Sequence, residues 1–109
     1  MLSDRMTTAV KEVTDAIRES EESGDYARQK KTAASIPGAG DLIERARDIQ
    51  ERLMNMSDEE RSSDYAESLQ DEYEEITENS TVYEYLNAEL VYITMIQEIV
   101  ASIMESVDI

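Results

Sequence analysis

Between Thr81 and Val107 apolar residues recur in steps of three and four: Val82, Leu86, Ile93, Ile96, Val100, Ile103 and Val107. That is the period of an α-helix. A second stripe of Tyr85, Tyr92 and Ile99 runs beside the first and is widened by Leu90, Met95 and Met104. An ordinary surface helix hides about a third of its circumference. This segment is apolar over more than that, so a central or interfacial helix is expected, about 40 Å long at ~1.5 Å per residue. Glu84, Glu89, Glu98 and Glu105 interrupt it, which argues against a membrane span of ~20 mostly apolar residues. Asn79 or Ser80 can cap its free N–H groups.

The preceding chain also follows the helical period. Met6, Val10, Val13 and Ile17 form a seam from about Ser3 or Asp4, and Gly24 is the expected stop, with Asp25 capping the next helix. Tyr26 to Ser35 predicts a short, weakly apolar helix, either separate or a bent continuation of the first. Pro37 then removes a backbone donor and two glycines come after it, a helix-to-helix connection. Asp41 and Glu44 have the spacing of a capping box for a third helix reaching about Met56, with Leu42 or Ile43, Ala46, Ile49, Leu53 and Met56 as its stripe. Ser57 and Glu60 form a second box. It opens a fourth helix to about Thr77 with a narrow edge of Tyr65, Leu69, Tyr73 and Ile76. A short turn before Thr81 predicts that this helix and the last form an antiparallel hairpin. Nothing alternates as a strand would. The expected fold is all-α: a single helical domain over 1–109, built as a small bundle of four to five helices with a long C-terminal helix.

Composition changes this picture in two ways. A chain of 109 residues buries a modest core, so a helix that is apolar on two sides points to oligomerisation. Leu86, Ile93, Ile96, Val100 and Ile103 are the expected interface of a homodimer. Charge is also uneven. Residues 1–56 carry nine Lys/Arg against eleven Asp/Glu, a balance of −2; residues 57–109 carry Arg61 alone against fifteen acids, a balance of −14. Such a chain repels phosphate backbones and anionic lipid, so neither direct nucleic-acid binding nor membrane insertion is expected. On the fourth helix, Glu67, Asp71 and Glu74 form a face suited to a protein partner with a basic surface. The N-terminus has no apolar core run of a secretory signal, which makes the cytoplasm the default.

Candidate chemistry is sparse. Cysteine and histidine are both absent, which removes thiolate and imidazole ligands and Ser-His or Cys-His pairs. The two glycines after Pro37 lack the lysine and hydroxyl of a phosphate loop, with Asp41 and Leu42 standing instead. Glu74-Glu75-Ile76-Thr77-Glu78 and Glu105-Ser106-Val107-Asp108 place carboxylates three or four apart, where they could hold Mg²⁺. These few positions resemble the paired motifs of all-α nucleoside triphosphate pyrophosphatases of the MazG kind. A Mg-dependent enzyme of that type is the alternative reading. No catalytic, cofactor or metal residue is assigned otherwise. Glu89 sits where the main stripe expects an apolar side chain. Burial there needs a partner, and Arg45, Arg47 and Arg52 are candidates by type.

The stretch Asn79 to Leu90 resembles the C-terminal signature of the YlbF/YmcA family of small bacterial regulators: a polar turn, then Val82, Tyr85, Ala88 and Glu89 opening a long apolar helix. Tyr26, Leu42, Ile43 and Gln50 fit the earlier layout. The resemblance implies an all-helical, dimer-forming, non-enzymatic protein. It also implies a role in competence, biofilm formation or sporulation through a complex that associates with the membrane-anchored endoribonuclease RNase Y and affects mRNA processing. Some such complexes carry iron–sulfur clusters on cysteines, which this chain cannot supply, so no cofactor is expected.

Overall fold

The computed structural model describes residues 1–108. Among the described residues six helices occur in order: α1 (Asp4–Arg18), α2 (Glu21–Ser35), α3 (Ala39–Met54), α4 (Asp58–Arg61), α5 (Asp64–Thr77) and α6 (Ser80–Ser106). No strand occurs among the described residues, so the all-α class and the long C-terminal helix are as expected. The six exceed the four to five anticipated because the acidic segment breaks after one turn.

Local chemistry explains the boundaries. Ser3 caps α1 by accepting from the Met6 N–H at 3.2 Å. Gly24 does not stop a helix. The break falls earlier, at Glu19 and Ser20, where Ser20 Oγ accepts from the Ser23 N–H at 3.2 Å, the contact of a cap. With that cap in place α2 runs through Gly24. The turn of Ile36 and Pro37 ends at Gly38, whose φ of 84° is left-handed. Gly38, not Asp41, occupies the cap position of α3 and offers no side chain, so the box expected from Asp41 and Glu44 does not form. The box of Ser57 and Glu60 does form, but its helix lasts one turn. Ser63 then captures the Ala66 N–H at 3.2 Å and starts α5 afresh. Asn79 Oδ1 accepts from Val82 N–H at 3.2 Å and opens α6.

The chain forms two compact units. The core unit is Gln29–Asn87; the terminal unit comprises Met1–Arg28 and Ala88–Ile109. In the core unit α3 and α5 lie side by side. Ile43, Ala46 and Ile49 of α3 meet a core completed by Ala66, Leu69 and Ile76 of α5, Val82 and Tyr85 of α6, and Ala33 and Ala39. Ile49 and Val82 are its largest fully enclosed side chains, each worth about 1.5–3 kcal/mol by removal from water. The α3–α5 pair is closely packed. Small residues explain this: Ala46 and Ala66 are both 0% exposed and let the two helices approach closely.

The terminal unit is built differently. α1 buries no residue, and every buried residue of α6 lies in its first two turns. Past Asn87 the helix presents Leu90, Ile93, Val100, Ile103 and Met104 to solvent, each at least 43% exposed. The inner positions Tyr92, Met95, Ile96 and Ile99 are half-buried. Of the two places expected for it, central or interfacial, α6 does not take the first within one chain; past Asn87 it is an apolar helix with one face open.

Candidate functional site

Three surfaces bear on function. The first is polar and ties α3 to α5 in the core unit. Arg45 donates to Glu72 through Nε and through a second guanidinium nitrogen at 3.0 Å, and to Asp48 at 2.8 Å. The hydrogen bond from Arg45 holds the Glu72 carboxyl below its ordinary value. The same bond raises Arg45 further above its already high value. Arg52 donates to the Tyr65 hydroxyl at 3.0 Å, and Gln50 Nε2 to the Tyr73 hydroxyl at 2.8 Å. Both tyrosines thus bind α3 by their hydroxyls, and Tyr65 stays 53% exposed rather than docking as an apolar edge. Arg61, the one cation of the acidic half, donates to the Leu53 and Met54 carbonyls at 3.3 Å, closing the end of α3 where the helix dipole favours positive charge.

The second surface is the acidic face. Glu67, Asp71 and Glu74 are all exposed on α5 at helical spacing, on a different side from Glu72. Glu75 and Glu78 are exposed too, and no group of three or more His, Cys, Asp or Glu side chains is arranged to hold a metal ion among the described residues. A shallow groove of 540 Å³ on the core unit is lined by Gly38, Asp41, Glu44, Lys30, Arg47 and Tyr85, among others. Arg47 stacks 5.6 Å from the Tyr85 ring centre and donates to its hydroxyl at 3.1 Å. Here the tyrosine of the expected signature has a structural role: it is 9% exposed and fills the core with its ring while its hydroxyl reaches an arginine.

The third surface is the terminal unit. Glu89 accepts from the Tyr26 hydroxyl at 2.9 Å, and the Tyr26 ring lies 5.0 Å from that of Tyr92. Tyr26, in the second turn of α2, is thus a partner of Glu89 within this unit. Of the anticipated interface, Ile93, Val100 and Ile103 are 43%, 53% and 50% exposed, while Leu86 and Ile96 are half-buried. Leu86 belongs to the core unit and the other four to the terminal unit. By length and composition alone α6 is also apolar enough to cross a membrane, with a mean hydropathy of 1.3 in a window of which 0% is buried.

A polar turn capped by Asn79, the enclosed Val82 and Tyr85, the half-buried Ala88 and the hydrogen-bonded Glu89 agree with a family model that matches residues 6–108, described as control of competence regulator ComK, YlbF/YmcA. The chain belongs to the YlbF/YmcA family. No curated protein and no solved structure matches it at a significant level. Tyr26 and Glu89 stand 63 residues apart, and the sequence does not point from one to the other. A tyrosine at a partly apolar site on α2 and a carboxylate interrupting the α6 stripe were the only hints.

Proposed function

We propose that this YlbF/YmcA-family protein is a non-enzymatic regulator that works by contact, using two surfaces of opposite character. The terminal unit self-associates through the open face of α6, and the acidic face of α5 receives a basic segment of another protein. The observation that carries the first surface is the absence of any buried residue in the terminal unit among the described residues, despite its apolar sequence. Water contact over that surface is unfavourable by ~25 cal/mol per Å², and a second protein surface relieves it. The exposed trio Glu67, Asp71 and Glu74 supports the second surface, because like charges that repel one another in one chain become attractive toward a cation-rich partner. The family resemblance supports a role in developmental control or RNase Y-dependent mRNA processing within the cytoplasm.

Salt separates the two contacts. Self-association brings together two chains of formal charge −16, so added salt strengthens it by screening. Docking of a basic segment weakens with salt. The test is affinity purification of the tagged protein from its own cells at low and high salt, comparing wild type with the combined Glu67→Gln, Asp71→Gln and Glu74→Gln variant. The variant is expected to keep its oligomeric state and to lose partners whose recovery is salt-sensitive. Unchanged recovery with unchanged salt dependence shows that the face is only solvated surface.

A further inference from the structure

The shallow groove of the core unit is bounded by the last turns of α2, the turn of Ile36 and Pro37, and the first turns of α3, with Tyr85 of α6 against it. Its apolar surface comes from the buried Ala33 and Ile43, from Pro37, and from Ile36, which is 38% exposed. Gly40 lines it too. The backbone there is helical, and an added Cβ would meet nothing within 4 Å. Neither a left-handed φ nor close packing therefore calls for glycine, which is a poor helix former. What the missing side chain does is keep the groove open. We propose that this groove docks a segment of another protein in which an aliphatic residue is flanked by an acidic residue on one side and a basic residue on the other. This surface is separate from the two of the proposed function.

Charge along the groove is ordered. Asp41 lies in the first turn of α3, next to the Ile36 and Pro37 turn, and Glu44 follows it. Arg47 comes six residues after Asp41, about 9 Å further along the helix at ~1.5 Å per residue. Lys30, on α2, is set back from the turn by six residues before Ile36. All four side chains are exposed. The end of the groove by the turn is therefore acidic, and the end away from it is basic. Arg47 is held at the rim by Tyr85, whose hydroxyl accepts from it at 3.1 Å and whose ring centre lies 5.6 Å away. A guanidinium already in place receives a carboxylate with little further ordering. A wholly basic segment would be repelled by Lys30 and Arg47. Nucleic acid or anionic lipid would be repelled by Asp41 and Glu44. A segment bearing one charge of each sign suits both ends. The ~9 Å between the ends is about three residues of an extended chain, which leaves room for an aliphatic side chain over Ala33 and Ile43. The groove volume of 540 Å³ lies within the roughly 300–1,000 Å³ of ligand-binding clefts.

The experiment selects a random-peptide library, displayed on phage, against the full-length wild-type protein, with counter-selection on Gly40→Leu. Recovered peptides are then synthesised and titrated while backbone amide signals are followed. Gly40→Leu fills the groove from a helical position where an added Cβ meets nothing, so it is expected to melt no lower than wild type. The recovered peptides are expected to share an aliphatic residue between an acid and a base, and to shift the signals of Lys30, Gly40, Glu44 and Arg47. They should bind Gly40→Leu at least ~10-fold more weakly. If Gly40→Leu does not fold, the exposed Glu44→Lys takes its place; it should weaken the same peptides, and replacing their base by glutamate should restore binding. A selection that yields no peptide distinguishing wild type from the variant overturns the proposal. Wholly basic peptides whose shifts fall on Glu67, Asp71 and Glu74 also overturn it, while supporting the acidic face of α5. Groove signals that shift when the protein alone is concentrated make the occupant a second copy, and overturn the assignment to another protein.

Discussion

The core unit and the terminal unit are made from similar helices but reach different ends. In the core unit, Ala46 and Ala66 let α3 and α5 close on one another, and Ile43, Ile49, Leu69, Ile76 and Val82 fill the space between. The terminal unit is richer in large apolar side chains, yet Met6, Val10, Leu90, Val100 and Met104 remain more than half exposed. The difference is one of neighbours, not of hydrophobicity. Burial needs a second surface at packing distance, and small residues at the crossing provide it in one unit. In the other, the proposed self-association assigns the missing surface to a second copy.

The first way to break the comparison is to strike each unit where it is apolar. Ile49→Ala, in the enclosed core, should lower stability by about 2–5 kcal/mol through lost burial and the cavity left behind, measured by urea titration of the dilute protein. Val100→Asp should behave oppositely. A substitution at an exposed position changes the stability of an isolated chain by about 0.5 kcal/mol or less. A charge on the open face of α6 should nonetheless weaken self-association at least ~100-fold, about 2.7 kcal/mol, as read by sedimentation equilibrium. If Val100→Asp leaves association unchanged, the open face of α6 is not the contact.

Two glycines give smaller effects of opposite sign. Gly38 holds a φ of 84° at the start of α3, where a side chain costs about 1–2 kcal/mol. Gly38→Ala should lower the melting temperature. Gly24 lies inside α2 with nothing within 4 Å of an added Cβ. Gly24→Ala should therefore stabilise by about 0.5–1 kcal/mol. A loss on Gly24→Ala would mean that α2 breaks at that glycine in solution.

The smallest effect is a pH dependence confined to the core unit. Arg45 lowers the Glu72 carboxyl in the folded state, so the pair stabilises above the unfolded value near 4.3 and ceases to as pH falls through the lower folded value. Comparing wild type with Glu72→Gln should give a stability difference that is present at pH 7 and closes as pH falls below about 4. Both residues are substantially exposed, so the difference should be small and reduced by salt.

Much of this arrangement was legible in the sequence. The helical period placed all the long elements, and the start read near Ser3 or Asp4 and the capping box at Ser57 marked helix starts correctly. Ile43, Ala46, Ile49, Leu69 and Ile76 were on the expected stripes. Gly24 misled because helix propensity is a weak prior and Ser20 supplies a better boundary four residues earlier. The break after Arg61 was missed because Ser62 and Ser63 read as ordinary helix surface until Ser63 is seen to cap. Tyr65 was assigned to the apolar edge on spacing, but its hydroxyl binds Arg52 at the rim. Which of its two expected places α6 takes, enclosed within the chain or open at an interface, was beyond the reach of periodicity. Spacing identifies an apolar face but does not say which molecule covers it.

The most direct test of the contrast between the units is amide hydrogen exchange of the wild-type protein, tracked residue by residue at two concentrations that straddle its association. Protection in α3 and α5 should be the same at both, since their core lies within one chain. Protection from Leu90 to Ser106 should fall on dilution, because ordering there depends on a second copy. Protection of that stretch that is equally strong at both concentrations, in a protein that sediments as a monomer, would contradict the account.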